Sequence, residues 1–137
     1  MIQRIDHLGI AVRQLDEAIP LFERLLGRPC EGVETVESQK VRTAFFKVGE
    51  VSIELLESTD AASPIARFIE SRGEGLHHLA LAADDVAPEL ARLSEAGARL
   101  IDAAPRAGAH GKQVAFVHPK STGGVLVELC AAPPKPL

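Results

Sequence analysis

The sequence predicts an α+β fold in which two βαβββ modules pair into an open, curved β-sheet cleft. Three observations predict it: a phrase that recurs at a fixed offset, a helical pattern after each occurrence, and a pair of strands closing each copy. The phrase is Ile5-Asp6-His7-Leu8-Gly9-Ile10-Ala11-Val12. It returns as Leu76-His77-His78-Leu79-Ala80-Leu81-Ala82-Ala83, and an offset of 71 carries His7 onto His78. Self-similarity at a fixed spacing is the mark of a duplicated unit.

Each phrase alternates. Leu8, Ile10 and Val12 share one face, with His7, Gly9 and Ala11 on the other; Leu79 and Leu81 likewise oppose His78, Ala80 and Ala82. A period of two predicts a strand. A helix follows the first strand, with Asp16 as the expected N-cap and Ala18, Ile19, Phe22, Leu25 and Leu26 at helical spacing. Pro20 sits in or just past the first turn, and Gly27 stops the run. In the second copy Asp84 or Asp85 is the cap, Pro88 is tolerated early, Leu90 and Leu93 face inward, and Gly97 ends the helix.

Strand pairs come next. "KVRTAFFKVGEVSIELLE" and "KQVAFVHPKSTGGVLVELC" both read as strand, turn, strand, with Gly49 in one turn and Gly123-Gly124 in the other. Ala44-Phe45 matches Ala115-Phe116 at the offset of 71, whereas Glu54 matches Glu128 at 74, so the second turn is three residues longer. Between the copies "SPIARFIESRG" predicts a short helix capped by Ser63, with Pro64 first, Ile65, Phe68 and Ile69 inward and Gly73 at its end. The expected organisation is a single domain over 1–137. Module one covers about 2–60, a linker helix about 63–72 and module two about 74–131, with "AAPPKPL" a frayed end.

Composition narrows the function. No apolar run approaches the roughly 20 residues that span a bilayer, and "MIQRIDHLGIAV" lacks the apolar stretch of a signal peptide. A net charge of −4 without a basic stripe argues against nucleic acid as a partner. Cys30 and Cys130 form no CxxC, which predicts reduced packing thiols in a cytoplasmic protein. The absence of Trp and Tyr argues against an aromatic stacking platform.

Each copy places one His on its first strand and one Glu on its last: His7 with Glu54, and His78 with Glu128. Ile53 and Leu55 take the face opposite Glu54, and Val127 and Leu129 the face opposite Glu128. The helices need the apolar face, so the acids and imidazoles turn to the concave one. A carboxylate in a partly buried cleft is costly unless paired or bound to a metal. Two imidazoles and two carboxylates suit a divalent transition ion such as Zn, Co, Ni, Mn or Fe, with positions left on a six-coordinate ion for water or substrate oxygens. His77 aligns with Asp6 and points the other way, as a supporting residue. His110 and His118 have no repeat partner and are assigned to loops.

These residues resemble the vicinal oxygen chelate superfamily, whose βαβββ modules pair around a metal. "SPIARFIESRGEGLHHLAL" and "GAHGKQVAFVHPKSTGGVLVELC", with "RIDHLGIAV" and "VSIELLE", are similar to the hallmark stretches of the methylmalonyl-CoA epimerase family, and the likeness spans nearly the whole chain. It implies a homodimeric enzyme that interconverts the 2R and 2S forms of methylmalonyl-CoA through C2 proton abstraction and an enolate stabilised by a divalent ion, Co²⁺ foremost. It implies His7, Glu54, His78 and Glu128 as ligands, with Glu128 also one acid/base. The family's second acid/base lies in the loop after the first helix, usually written like "PEQGV". Here "VETVESQKV" departs from that pattern; Glu37 is the choice, Glu34 the alternative, and a gapless count back from Val41 lands on Ser38. Lys112, Lys120, Gly123 and Gly124 are candidates for acyl-CoA contacts, as cations and backbone N–H donors on loops near the second copy's strand ends. The rivals are a glyoxalase-type isomerase and a ligand-sequestering protein of the same fold.

Overall fold

Each copy of the repeat folds as strand, helix and three further strands. A computed structural model describes residues 1–133. The elements run β1 Ile2–Ala11, α1 Leu15–Leu26, β2 Gly32–Val36, β3 Val41–Val48, β4 Val51–Ser58, α2 Pro64–Arg72 and β5 Gly75–Ala83. They continue with α3 Val86–Glu95, β6 Arg106–Ala107, β7 Gln113–Val117 and β8 Val127–Ala131. Short 3₁₀ turns lie at Glu37–Gln39, Ala109–Gly111 and Pro119–Ser121. No helix among the described residues is long and apolar enough to cross a membrane.

The chain divides into two compact units. His7–His77 forms one; residues 1–6 with the chain from His78 onward form the other. The first five residues of β1 thus belong with the second copy, although the sequence places them in the first. The linker helix α2 belongs with the first.

In the His7–His77 unit the strands run in the order β2-β3-β4-β1. β1 is parallel to β4, and the β2-β3-β4 meander is antiparallel. Helix α1 closes the apolar face: Leu15 and Ala18 are buried with Val12, Ala44, Phe46 and Leu55, and Ile19, Phe22 and Leu26 pack on them. The second unit repeats the plan. β5 is parallel to β8, and β8-β7-β6 is antiparallel. Val86 and Leu90 of α3 are buried with Ala115, Val117, Leu129 and Ala131.

The expected glycine stop of α1 and the expected cap of α2 are present. Gly27 ends α1 in the left-handed conformation. Ser63 Oγ accepts from the Ala66 N–H at 3.0 Å, and Pro64 opens α2. Other expectations need correction. The N-cap of α1 is Gln14, and Asp16 lies in the first turn, where an acid still complements the helix dipole. Asp85 is the N-cap of α3 but makes no side-chain cap bond; at the other end Ala96 is the C-cap and Gly97, at φ 89°, stops the helix as expected, its N–H donating to the Ser94 carbonyl. The stretch read as a loop, "VETVESQKV", begins as strand β2. Ala131, assigned to a frayed end, is a buried strand residue; residues 134–137 of that expected end lie outside the described residues.

Candidate active site

The repeated register brings one imidazole beside one carboxylate within each unit. Gly9 of β1 stands opposite Glu54 of β4, and His7 opposite Ser52. His7 and Gly9 share a face, so Glu54 has a neighbour without a side chain. Its Oε2 lies 3.2 Å from His7 Nδ1. In the other unit Ala80 of β5 stands opposite Glu128 of β8, and Glu128 Oε1 lies 3.5 Å from His78 Nε2. Histidine, one residue, then glycine or alanine is therefore the local recipe in both copies: the imidazole is a ligand-type group and the small residue clears its glutamate's path. The four side chains are 5%, 8%, 5% and 4% exposed in the order His7, Glu54, His78, Glu128. Carboxylates so buried need a compensating cation, either an imidazolium or a metal ion.

An aromatic ring flanks each glutamate. Phe45 stands opposite Glu54 and Phe116 opposite Glu128, and both rings are buried. Phe116 meets the His78 ring edge-on, centroids 5.7 Å apart at 84°. Phe45 and Phe116 match at the repeat offset and lie on the faces of the acids, a signal of the site that residue chemistry alone does not give.

Asp6, the repeat partner of His77, has a role that its alignment alone does not reveal. It is buried, with Arg4 at 3.0 Å and Lys112 Nζ at 2.9 Å from its carboxylate. These three side chains line a cavity of about 190 Å³ with Asp84, Ala82 and Cys130. Lys112, a candidate for acyl-CoA contact, thus has its ammonium on Asp6. Burial, with the Asp6 and Glu128 charges adding to it, pushes the Cys130 thiol up to about 12, so it stays protonated and unreactive.

The second acid/base candidates separate. Glu34 is half-buried and stands opposite buried Thr43 across β2–β3. Alternation along β3 and β4 then puts Glu34, Thr43, Phe45 and Glu54 on one face. Glu37 is exposed in the following 3₁₀ turn. Lys120 is exposed in the turn after His118, whose Nδ1 accepts from the Lys120 N–H at 3.1 Å. Gly123 and Gly124 both have positive φ, as a tight turn requires. His77 packs edge-on against Phe68 of α2 at 5.0 Å, and burial pulls its pKa down to about 4, so it acts as a neutral packing residue. His110 is an exposed turn residue at φ 58°.

Comparison with known proteins identifies the family. Residues 6–116 match the Glyoxalase/Bleomycin resistance protein/Dioxygenase superfamily. The uncharacterized protein YqjC of Bacillus subtilis (strain 168) is 46% identical over 94% of this chain and 92% of its own length. The ethylmalonyl-CoA/methylmalonyl-CoA epimerase of Cereibacter sphaeroides is 38% identical over 94% of this chain and 98% of its own. A solved methylmalonyl-CoA epimerase in complex with methylmalonyl-CoA and NH4+ superposes with a TM-score of 0.92 at 34% identity, covering 96% of each chain. The chain belongs to the Glyoxalase/Bleomycin resistance protein/Dioxygenase superfamily and, within it, to the methylmalonyl-CoA epimerase family.

Proposed function

We propose that the chain is a metal-dependent epimerase that interconverts the 2R and 2S forms of methylmalonyl-CoA by moving the proton at C2. The observation that carries this reading is the pair of buried imidazole–carboxylate couples, one from each copy of the repeat. The donor set fits a divalent transition ion: imidazole nitrogen and carboxylate oxygen, buried, with two formal negative charges to balance. His7, Glu54, His78 and Glu128 would hold the ion together, Co²⁺ first among the candidates and Zn, Ni, Mn or Fe after it. When bound, such an ion supplies Lewis-acid stabilisation of charge developing on the thioester and carboxylate oxygens.

The chain's own residues move the proton. Glu128, shielded from water beside Phe116, is the acid/base on one face of C2. Inversion needs a second acid/base on the opposite face, and that role falls to Glu37 or Glu34. Glu34 has the support of sharing a sheet face with Glu54. Two further parts of the reading are a cytoplasmic setting, supported by two free thiols, and a homodimer, supported by Leu21 and Leu25 exposed on α1.

The test combines metal analysis with exchange. Purified protein is expected to carry about one divalent ion per chain and to exchange the C2 proton of methylmalonyl-CoA in D₂O, followed by NMR. Metal without exchange, but with turnover of a hemithioacetal, overturns the epimerase in favour of a glyoxalase. A metal-free, inactive protein overturns both.

A further inference from the structure

We infer that Arg106 is an anion-recognising residue of this site, one that grips a carboxylate or phosphate oxygen of the acyl-CoA substrate. The inference rests on the epimerase reading and deepens it. Arg106 opens β6, and its guanidinium carbon lies 5.5 Å from the centroid of the Phe116 ring. The same ring meets His78, and Phe116 stands opposite Glu128. A permanent positive charge therefore sits one phenyl ring away from the imidazole, on the strand that pairs with the far side of β7 from the one carrying Glu128.

Its placement is built. Asp102 Oδ2 accepts the Phe116 N–H at 2.8 Å, and the Ile101 and Asp102 N–H groups donate to the Phe116 carbonyl. The other oxygen of Asp102, Oδ1, lies 3.4 Å from Arg106 Nε. One carboxylate thus locks β7 on one side and the root of the guanidinium on the other. Asp102 is 17% exposed and Arg106 41%. Among the described residues Asp102 is the acid paired with Arg106, and the pairing uses Nε. A contact through Nε engages one of the guanidinium's five N–H groups, and the half-exposed side chain has its two terminal nitrogens, with four more, for an anionic oxygen.

That fork matches a carboxylate or phosphate two bonds at a time, as a lysine ammonium does not. The Phe116 face beneath it limits hydration of the cation and fixes its plane. A malonyl-type thioester carries both groups that such a fork selects: a carboxylate on C2 and phosphates on the CoA. Lys112, the other cation on this loop, already has Asp6, which leaves Arg106 as the better-placed group.

Two variants and two substrates test it. R106Q removes the charge and keeps the approximate volume; R106K keeps the charge and loses the fork. Each is assayed by C2 exchange with methylmalonyl-CoA and with the phosphate-free methylmalonyl-pantetheine thioester, alongside thermal melting. Losing a charge-assisted contact is expected to raise KM roughly tenfold or more in R106Q, with partial recovery in R106K. A rise with both substrates identifies the carboxylate as the partner; a rise with the CoA substrate alone identifies a phosphate. An unchanged KM with both substrates overturns the inference, and so does a lower melting point accompanied by a fall in kcat alone, which would mark Arg106 as support for Phe116. Wild-type protein that fails to exchange either substrate counts against the epimerase reading itself. Normal wild-type exchange with an indifferent R106Q counts against Arg106 alone.

Discussion

In the proposed mechanism Glu128 does two things, binding the ion and moving a proton, and substitution separates them. Glutamine keeps the shape and hydrogen-bonding reach of the side chain but cannot accept the C2 proton. Glu128→Gln is expected to lower C2 exchange by roughly 10²- to 10⁴-fold, the usual contribution of a positioned acid or base, with the melting transition retained. NMR exchange in D₂O and calorimetric melting read the two effects. The second acid/base gives a sharper pattern, because losing one face leaves the other working. If Glu37 serves, Glu37→Gln permits exchange from one stereoisomer only; if Glu34 serves, Glu34→Gln does so and Glu37→Gln behaves as wild type. The four candidate ligands were legible as residues because repetition singled them out. Asp6, Asp102 and Arg106 were not legible. Asp6 meets Lys112 across 106 residues and Asp102 meets the Phe116 N–H across 14, and no local pattern announces such pairings.

At the scale of elements, the small residue in each first strand matters as much as the histidine. Ala80 is fully buried and faces Glu128. Ala80→Val forces two extra methyl groups into the space the carboxylate crosses. Overpacking of this kind costs about 1–3 kcal/mol, and it should displace Glu128 from His78. The expected outcome is a lower melting point together with weaker metal retention, measured by metal analysis after dialysis. The linker helix supplies a control away from the site. Ser63 is fully buried and caps α2 through the Ala66 N–H, so Ser63→Ala should cost about 1 kcal/mol in denaturant unfolding without altering metal content. Elements were readable where burial imposes a period. α1 and α3 show apolar spacing because one face of each is covered, and β5 alternates for the same reason. β2 was read as a loop because it contributes one buried side chain, Val36, among its five residues, so alternation carries no hydrophobic signal there. The Asp16 cap failed because an acid is equally at home at the N-cap and in the first turn, where the dipole favours it.

At the scale of the whole molecule, duplication makes a prediction about stoichiometry. Each unit holds one histidine–glutamate pair, so two arrangements are conceivable: an ion per pair, or one ion for both. A single imidazole and a single carboxylate make a poor site, since two protein ligands leave most positions of a transition ion to water. Four ligands make a strong one, and the binding free energy then adds to folding stability because the unfolded chain has no preformed site. Sharing therefore predicts about one ion per chain, and it predicts that His7→Ala and His78→Ala each deplete nearly all of it. Their double variant should lose little more, a non-additivity expected when residues act as one unit. Separate sites predict two ions per chain, half lost in each single variant and all in the double. Chelation adds a second readout: stripping the ion should lower the melting temperature of wild type and leave either single variant almost unmoved. A chain that binds two ions, or whose melting ignores a chelator, would separate the duplicated fold from the shared centre and with it the proposed route to the C2 proton.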